Sequence, residues 1–115
     1  PGRLHTVGPY SDKRVPVFAE NSRVVTYLET EQFGSLAMIE VGALTIGSIV
    51  NHQRTAASRG SEKGWFEPGG STIVLLTEAG AIDIDEDILT YNRQGYEVLV
   101  RIGEGIATRT ETADV

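Results

Sequence analysis

The fold is set by the stretch Gly69-Gly70-Ser71-Thr72-Ile73-Val74-Leu75-Leu76, which joins a glycine-rich turn to an apolar run. The run Thr72–Leu76 has the composition of a buried strand, because aliphatic and β-branched side chains pack well on a pleated sheet. The glycines lack a Cβ, so Gly70 can present its carbonyl carbon to the Ser71 hydroxyl without steric conflict. The stretch therefore predicts a strand entered either by an ordinary turn or by a peptide bond open to attack by its own serine.

Other β-prone runs lie on both sides of this stretch. Short apolar or alternating runs predict strands at residues 4–7, 15–19, 23–30, 81–84 and 96–102. Residues 20–22 form a turn signal that joins the second and third of these strands in a hairpin. Residues 36–50 are the most apolar segment, and their glycines and β-branched residues favour one bent strand, or two joined at a bulge. The polar residues 51–63 predict an exposed loop.

One short helix is predicted near residues 85–94. Acidic side chains at 85–87 precede a short apolar-periodic run that ends at Gly95, and carboxylates stabilise the positive end of a helix. The same carboxylates lack the glycine and terminal glutamate of an EF-hand loop, so no metal site is predicted there. The polar tail from Thr108 is expected to fray. The fold class is therefore mainly β, a β-rich α+β fold with mixed or antiparallel sheets and one short helix.

Composition limits the class of function. A chain of 115 residues with a net charge of -6 forms one domain with no separate cofactor domain, and its scattered Lys and Arg do not predict a nucleic-acid surface. The absence of cysteine excludes disulfides, a thiol nucleophile and thiolate metal ligands. Trp65 and Phe66 could contact a substrate or a lipid surface, but next to a strand they are expected to be core residues.

Two ordered segments carry a resemblance to a known family. Residues Phe33–Ile49 and Arg59–Leu76 resemble the C-terminal portion of the phosphatidylserine decarboxylase family, in the part that spans its self-cleavage motif. Residues 2–7, 18–24 and 100–104 are similar to the same family, so the resemblance covers most of the chain. It implies a carboxy-lyase of phospholipid biosynthesis that is made as a zymogen and cut autocatalytically between Gly70 and Ser71.

The resemblance also implies the chemistry of the site. Ser71 attacks the Gly70 carbonyl, and the resulting ester eliminates to a dehydroalanine that hydrolyses to a covalent pyruvoyl group, with Gly69 and Thr72 as motif neighbours. That pyruvoyl group forms a Schiff base with the amine of the substrate, and neither pyridoxal phosphate nor a metal is required. Residues 1–70 would be the C-terminal part of the family's β chain and residues 71–115 the start of its α chain, within one domain incomplete at its N-terminus.

The chain departs from the family in one respect. An upstream Asp and His assist self-cleavage and catalysis in the family, and neither is visible here, although a serine needs a positioned base to attack well. His5 alternates with apolar neighbours and would either pack or line the substrate pocket, whereas His52 lies in a polar loop and is expected to be solvated. We therefore expect this piece to be uncleaved and inactive alone.

Three functions follow from the resemblance and its gaps. The first converts phosphatidylserine to phosphatidylethanolamine, with membrane association through the upstream part. The second is a cytoplasmic pyruvoyl-dependent decarboxylase of free amino acids, for example aromatic ones. The third is a non-catalytic β-rich binding or scaffold domain in which Ser71 is an ordinary strand-entry serine. The expected partners are an amino-group substrate, the other chain of the processed enzyme and further copies in a homo-oligomer; the piece itself is expected to be soluble.

An intact-mass measurement tests the prediction that the piece stays whole. Because the upstream base is not visible, the isolated 115-residue polypeptide should give one species near 12.4 kDa. Two fragments divided between Gly70 and Ser71 would contradict it and would mean that these residues contain a sufficient base.

Overall fold

A computed structural model describes residues 22–42, 48–67 and 72–111 of the chain. Strands dominate this part, as the composition predicted. In chain order the elements are β1 Arg23–Thr30, β2 Gly34–Val41, β3 Ser48–Asn51, β4 Gly64–Glu67, β5 Thr72–Thr77, β6 Ile82–Ile84, the helix α1 Glu86–Arg93 and β7 Ala107–Arg109. The β-rich fold with one short helix is confirmed for the described residues.

The strands form three sheets. Their orders are β1-β2-β5, β3-β4 and β6-β7, and the two-stranded sheets are antiparallel. The chain divides into two compact units, one comprising Pro1–Tyr27 and Ala37–Leu75 and the other Leu28–Leu36 and Leu76–Val115. The first unit contains the whole of the β3-β4 sheet, and the second contains α1 and the β6-β7 sheet.

The turn between β1 and β2 is closed by a threonine side chain. The Thr30 hydroxyl donates to the Gly34 carbonyl at 2.9 Å and accepts from the Phe33 N–H at 3.0 Å. Gly34 has a φ of 70°, a left-handed conformation that residues with a Cβ rarely adopt. At the other end of the pair, the Gly42 N–H donates to the Ser22 carbonyl at 2.8 Å. A connection this short permits only antiparallel pairing of β1 with β2.

β3 and β4 are joined by a long exposed loop and held in one register. Ser48 pairs with Glu67 and Asn51 with Gly64, and the first loop residue, His52, donates its N–H to the Lys63 carbonyl at 2.8 Å. Residues 52–62 between the strands are exposed, which confirms the predicted loop except at its ends, where Asn51 belongs to β3 and Lys63 is half-buried. The apolar segment 36–50 supplies β2 and β3 to two different sheets. Its two-strand interpretation is therefore the one that holds for the described residues.

In the second unit a helix begins where the acidic residues predicted it. Glu86 and Asp87 lie in the first turn of α1, and Asp85 occupies the N-cap position, where its own N–H donates to the Ile106 carbonyl at 3.0 Å. This bond continues the pairing of β6 with β7, and the Thr110 N–H extends it to the Ala81 carbonyl at 3.1 Å. The expectation that the tail frays from Thr108 is therefore wrong at residues 108–110, because these residues add a strand to β6.

Two other expectations about burial and pairing are wrong. The run Thr72–Leu76 does form a strand, but Ile73, Leu75 and Leu76 are each about half exposed, so β5 is not a buried strand. Residues 96–102 form no strand despite their β propensity, because no described strand lies alongside to complete a ladder. β-propensity describes how well a side chain suits a sheet and does not supply the partner.

Burial is scarce throughout the described part. Val41 on β2 is the only hydrophobic residue there that is buried, and Trp65 is 44% exposed, which corrects the expectation that it is a core residue. Phe66 is half-buried. The strands predicted at 4–7 and 15–19 and the hairpin through residues 20–22 lie outside the described residues. What holds the β3-β4 sheet is therefore close backbone approach and polar contact rather than a large core.

Gly64 is the residue that this close approach requires. A Cβ at Gly64 would collide with the Val50 carbonyl oxygen and with Asn51 across the pair. We expect Gly64→Ala to lower the free energy of unfolding of the full-length parent by about 1–3 kcal/mol, as overpacking generally does. Urea denaturation measures this change.

The matched control is Gly105→Ala, because nothing lies within 4 Å of a Cβ at Gly105. That substitution should be neutral or stabilising by up to about 1 kcal/mol, through the lost freedom of the unfolded chain. Equal effects of the two substitutions would contradict the close packing at Gly64.

Candidate functional site

The predicted cleavage motif lies in the chain between two strands that the structure places in different sheets. β4 ends at Glu67 and pairs with β3, and β5 begins at Thr72 and pairs with β2. Thr72 is half-buried at the first position of β5. The other predicted site residues, Gly69, Gly70, Ser71 and His5, lie outside the described residues, so their roles stay predictions. The described geometry is that of the two strands that flank the motif.

Three polar side chains tie β2 to the start of β4. The Glu40 carboxylate accepts from Lys63 Nζ at 2.7 Å through Oε1 and from Asn51 Nδ2 at 2.8 Å through Oε2. Lys63 Nζ also donates to Asn51 Oδ1 at 2.9 Å, which closes the triangle. We call these three residues the Glu40 triangle. All three pairs are bonded, so no member depends on water alone for a partner.

Burial makes the Glu40 triangle more than a surface ion pair. The Glu40 side chain is 7% exposed and that of Lys63 28%. Two long side chains held in water gain little from pairing, but a desolvated carboxylate becomes costly when its partners are removed. The opposite charge and the two donated hydrogen bonds offset the desolvation of Glu40. The triangle therefore holds Lys63, the residue immediately before β4, against β2.

A second group of side chains, all of them exposed, extends from the base of the loop 52–62 along β4. His52 Nε2 lies 2.8 Å from Glu62 Oε1, and the His52 ring meets the Trp65 ring edge to face with centroids 5.6 Å apart. Trp65 Nε1 donates to Glu67 Oε1 at 2.8 Å. His52 is exposed, as predicted, and it is also partnered on both sides. These contacts close the base of the loop and order the exposed face of β4.

The described residues show few other signs of a chemical site. No group of three His, Asp or Glu within them is arranged to hold a metal ion. No helix in residues 22–42, 48–67 and 72–111 is long and apolar enough to cross a membrane. The acidic stretch that begins α1 is exposed, and Glu86 contacts Arg93 at 3.5 Å. The polar anchor that the structure does show is the Glu40 triangle.

The sequence carried a signal for this triangle that the motif analysis missed. Glu40 is the one charged residue in the apolar segment 36–50, and a lone charge in such a run must find a partner when it is buried. Its partners, however, are separated from it by 11 and 23 residues along the chain. No local pattern connects them, so only the pairing of β3 with β4 identifies Lys63 and Asn51.

In this β-rich chain the Gly-Gly-Ser-Thr tetrapeptide follows β4 along the sequence and ends at Thr72, the first residue of β5. The family model described as phosphatidylserine decarboxylase matches residues 1–108 of the chain. The chain therefore belongs to the phosphatidylserine decarboxylase family, as the resemblance indicated.

Individual relatives agree with the family model. Phosphatidylserine decarboxylase proenzyme 2 of Clostridium acetobutylicum is 51% identical over 105 residues, which is 91% of this chain and 36% of the relative. The phosphatidylserine decarboxylase proenzyme of Chlamydia muridarum is 43% identical over 113 residues, which is 94% of this chain and 37% of the relative. That of Clostridium botulinum strain Eklund 17B is 40% identical over 111 residues, which is 94% of this chain and 38% of the relative. The chain thus spans little more than a third of the length of these relatives. No solved structure matches it.

The Glu40 triangle should make a measurable contribution to stability. Both partners of Glu40 are donors, and a carboxylate only accepts, whereas the amide of a glutamine would place an NH2 group against one of them. We expect Glu40→Gln to lower the free energy of unfolding of the full-length parent by about 2 kcal/mol. Denaturation in urea measures the loss.

Glu86→Gln is the matched control, because Glu86 is 78% exposed and its contact to Arg93 is long. Its effect should stay within about 0.5 kcal/mol, the range of an exposed ion pair. If Glu40→Gln were as mild as this control, the triangle would not anchor β4.

Proposed function

We propose that this chain is the segment of a phosphatidylserine decarboxylase proenzyme that contains the self-cleavage bond, Gly70–Ser71. The observation that carries the proposal is the position of Gly69, Gly70 and Ser71 in the four-residue connection, residues 68–71, between β4 and Thr72, the first residue of β5. The printed names of the relatives describe proenzymes, which supports a chain that is cut during maturation.

Both strands that flank the bond are attached to β2. β5 is hydrogen-bonded to β2 along the sheet, and Glu40 of β2 binds Lys63, the residue immediately before β4. Attack of a hydroxyl on a neighbouring carbonyl is accelerated when the reacting groups are held in the right geometry, and short connections between fixed ends restrict the conformations that compete. A common anchor for the two flanking strands therefore suits a bond that must react with itself.

The proposed cleavage has three steps, which are an acyl shift, an elimination and a hydrolysis. Ser71 Oγ loses its proton and attacks the Gly70 carbonyl carbon; the peptide C–N bond breaks, and an ester and a free amine result. Loss of the Ser71 α-proton with departure of the Gly70 carboxylate leaves a dehydroalanine. Its imine tautomer takes up one water and releases ammonia, so the second chain begins with a pyruvoyl group. The base for the first step would come from the part of the parent outside residues 1–115.

When formed, that group would supply a ketone carbonyl that accepts the amine of the substrate and serves as an electron sink when CO2 is lost. The residues present fit it, because Ser71 supplies its carbon atoms and the half-buried Thr72 begins the strand that would hold the new chain start. Phosphatidylserine is the proposed substrate, and the two products of cleavage would stay together as partner chains. Membrane association and a homo-oligomer are further proposals for the complete enzyme.

The two alternative functions have less support. A soluble decarboxylase of free amino acids would use the same group, but the relatives compared above are named for phosphatidylserine. A non-catalytic scaffold would need neither the glycine pair nor the serine between β4 and β5. Fold alone does not distinguish these functions, so the distinction depends on the residues at the bond.

Ser71→Ala in the full-length parent tests the proposal. The substitution removes the attacking oxygen and should abolish both self-cleavage and decarboxylation of phosphatidylserine. The unsubstituted parent should give one fragment that ends at Gly70 and one whose mass fits a pyruvoyl rather than a serine start. Intact-mass spectrometry and release of CO2 from carboxyl-labelled phosphatidylserine are the measurements.

Ser61→Ala is the matched control, because the Ser61 hydroxyl donates only to the Ser58 carbonyl at 2.6 Å in the exposed loop. It should leave cleavage and activity at the level of the unsubstituted parent. Cleavage or decarboxylation that survives Ser71→Ala would refute the proposed role of Ser71. Cleavage with activity on free amino acids alone would assign the second function instead.

A further inference from the structure

Residues 96–102, here called the 96–102 segment, have the pattern of a strand but pair with no strand in the part of the chain that the structure describes. Their apolar side chains alternate at 96, 98, 100 and 102, with Glu97 and Arg101 on the other face around Leu99. Within the described part of the chain, the backbone N–H and C=O groups of residues 97–100 have no hydrogen-bond partner. A run of unpaired backbone groups is a template for pairing with another strand.

The segment is bounded by two closed turns. Before it, the Tyr96 N–H returns to the Tyr91 carbonyl at 3.1 Å, beside Gly95 with a φ of 86°. After it, the Arg101 N–H donates to Glu104 Oε2 at 2.8 Å and the Glu104 N–H to the Arg101 carbonyl at 3.0 Å. The Tyr96 N–H and the Arg101 N–H and C=O are thus satisfied within the chain, whereas the backbone groups of the four residues between them are unpaired in the described part.

The side chains of the segment are as exposed as its backbone. Leu99 is 90% exposed and Ile102 fully exposed, and Tyr96 and Val100 are also exposed. The surrounding unit gives them no cover, because none of its described side chains is buried and those of α1 are at most half-buried. Ordering a chain costs backbone and side-chain entropy that burial of apolar surface must offset. The exposed apolar face of the 96–102 segment therefore needs a further layer of protein to cover it.

We propose that the 96–102 segment is an edge strand that pairs with a β-strand from the part of the parent polypeptide outside residues 1–115. The relatives are nearly three times as long as this match, so most of such a parent is available as the partner. A strand in the same polypeptide has an effective concentration of about millimolar, which a second copy does not reach at ordinary protein concentrations. The occupant is therefore a strand of the same molecule.

The chemistry of the segment specifies its partner. On one face the partner strand would present apolar side chains opposite Val98 and Val100. On the other it would place a cation near Glu97 and an anion near Arg101, on either side of a residue that covers Leu99. This pairing requires only that the chain is part of a longer polypeptide. It does not depend on the proposed cleavage of Gly70–Ser71.

Hydrogen exchange on the full-length parent tests the proposal. The amides of residues 97–100 should exchange at least about 100-fold more slowly than those of Ala56 and Ala57, which lie in the exposed loop without hydrogen bonds. The protection should be unchanged when the protein is diluted below the concentration at which it dissociates to monomers. Exchange of 97–100 as fast as in the loop, or protection lost on dilution, would overturn the proposal, the second result assigning the surface to a second copy.

Thiol labelling gives a second measurement, since residues 1–115 contain no cysteine. In the parent, Leu99→Cys should react with a maleimide at least about tenfold more slowly than Ala57→Cys, read by peptide mapping at each position. Equal labelling rates in a parent that remains folded would also overturn the proposal. If Leu99→Cys does not fold, the hydrogen-exchange result on the unsubstituted parent decides.

Discussion

The pairing of a buried carboxylate with its two donors organises the first unit. Glu40 lies on β2 next to Val41, and it reaches both Asn51 at the end of β3 and Lys63 at the start of β4. Removal of a carboxylate from water is costly, so a fold that buries one must place donors around it with good geometry. The register of the β3-β4 sheet places Asn51 opposite Gly64, next to Lys63, so both donors lie at the same end of that sheet.

Because β2 also pairs with β5, it contacts the strand that follows the proposed cleavage bond as well as Lys63, which precedes β4. The chain leaves β4 at Glu67 and enters β5 at Thr72, and each of those strands is connected to β2, one through side chains and one through the sheet. A self-cleaving proenzyme has to position a hydroxyl against its own backbone carbonyl before it can react. A shared anchor for the two flanking strands would restrict the conformations open to that bond.

The second unit, in contrast to the first, has no buried anchor among its described residues. Its helix, its small β6-β7 sheet and the 96–102 segment satisfy their backbone groups only in part and bury none of their described side chains. The chain spans little more than a third of the length of the relatives, and the strand pairing proposed for residues 96–102 would cover part of this apolar surface.

The sequence by itself determined the local structure and the family. β1, β5, β6, the exposed loop and the helix at Glu86–Arg93 follow from alternation, turn residues and acidic residues at a helix start, and the residues around Ser71 identified the family. These features depend on neighbours in the chain. The Glu40 triangle, the β7 strand and the unpaired backbone of residues 97–100 depend on which strands meet. Only the tertiary structure decided them, because the free energy of a buried charge or a strand edge depends on partners far away in sequence.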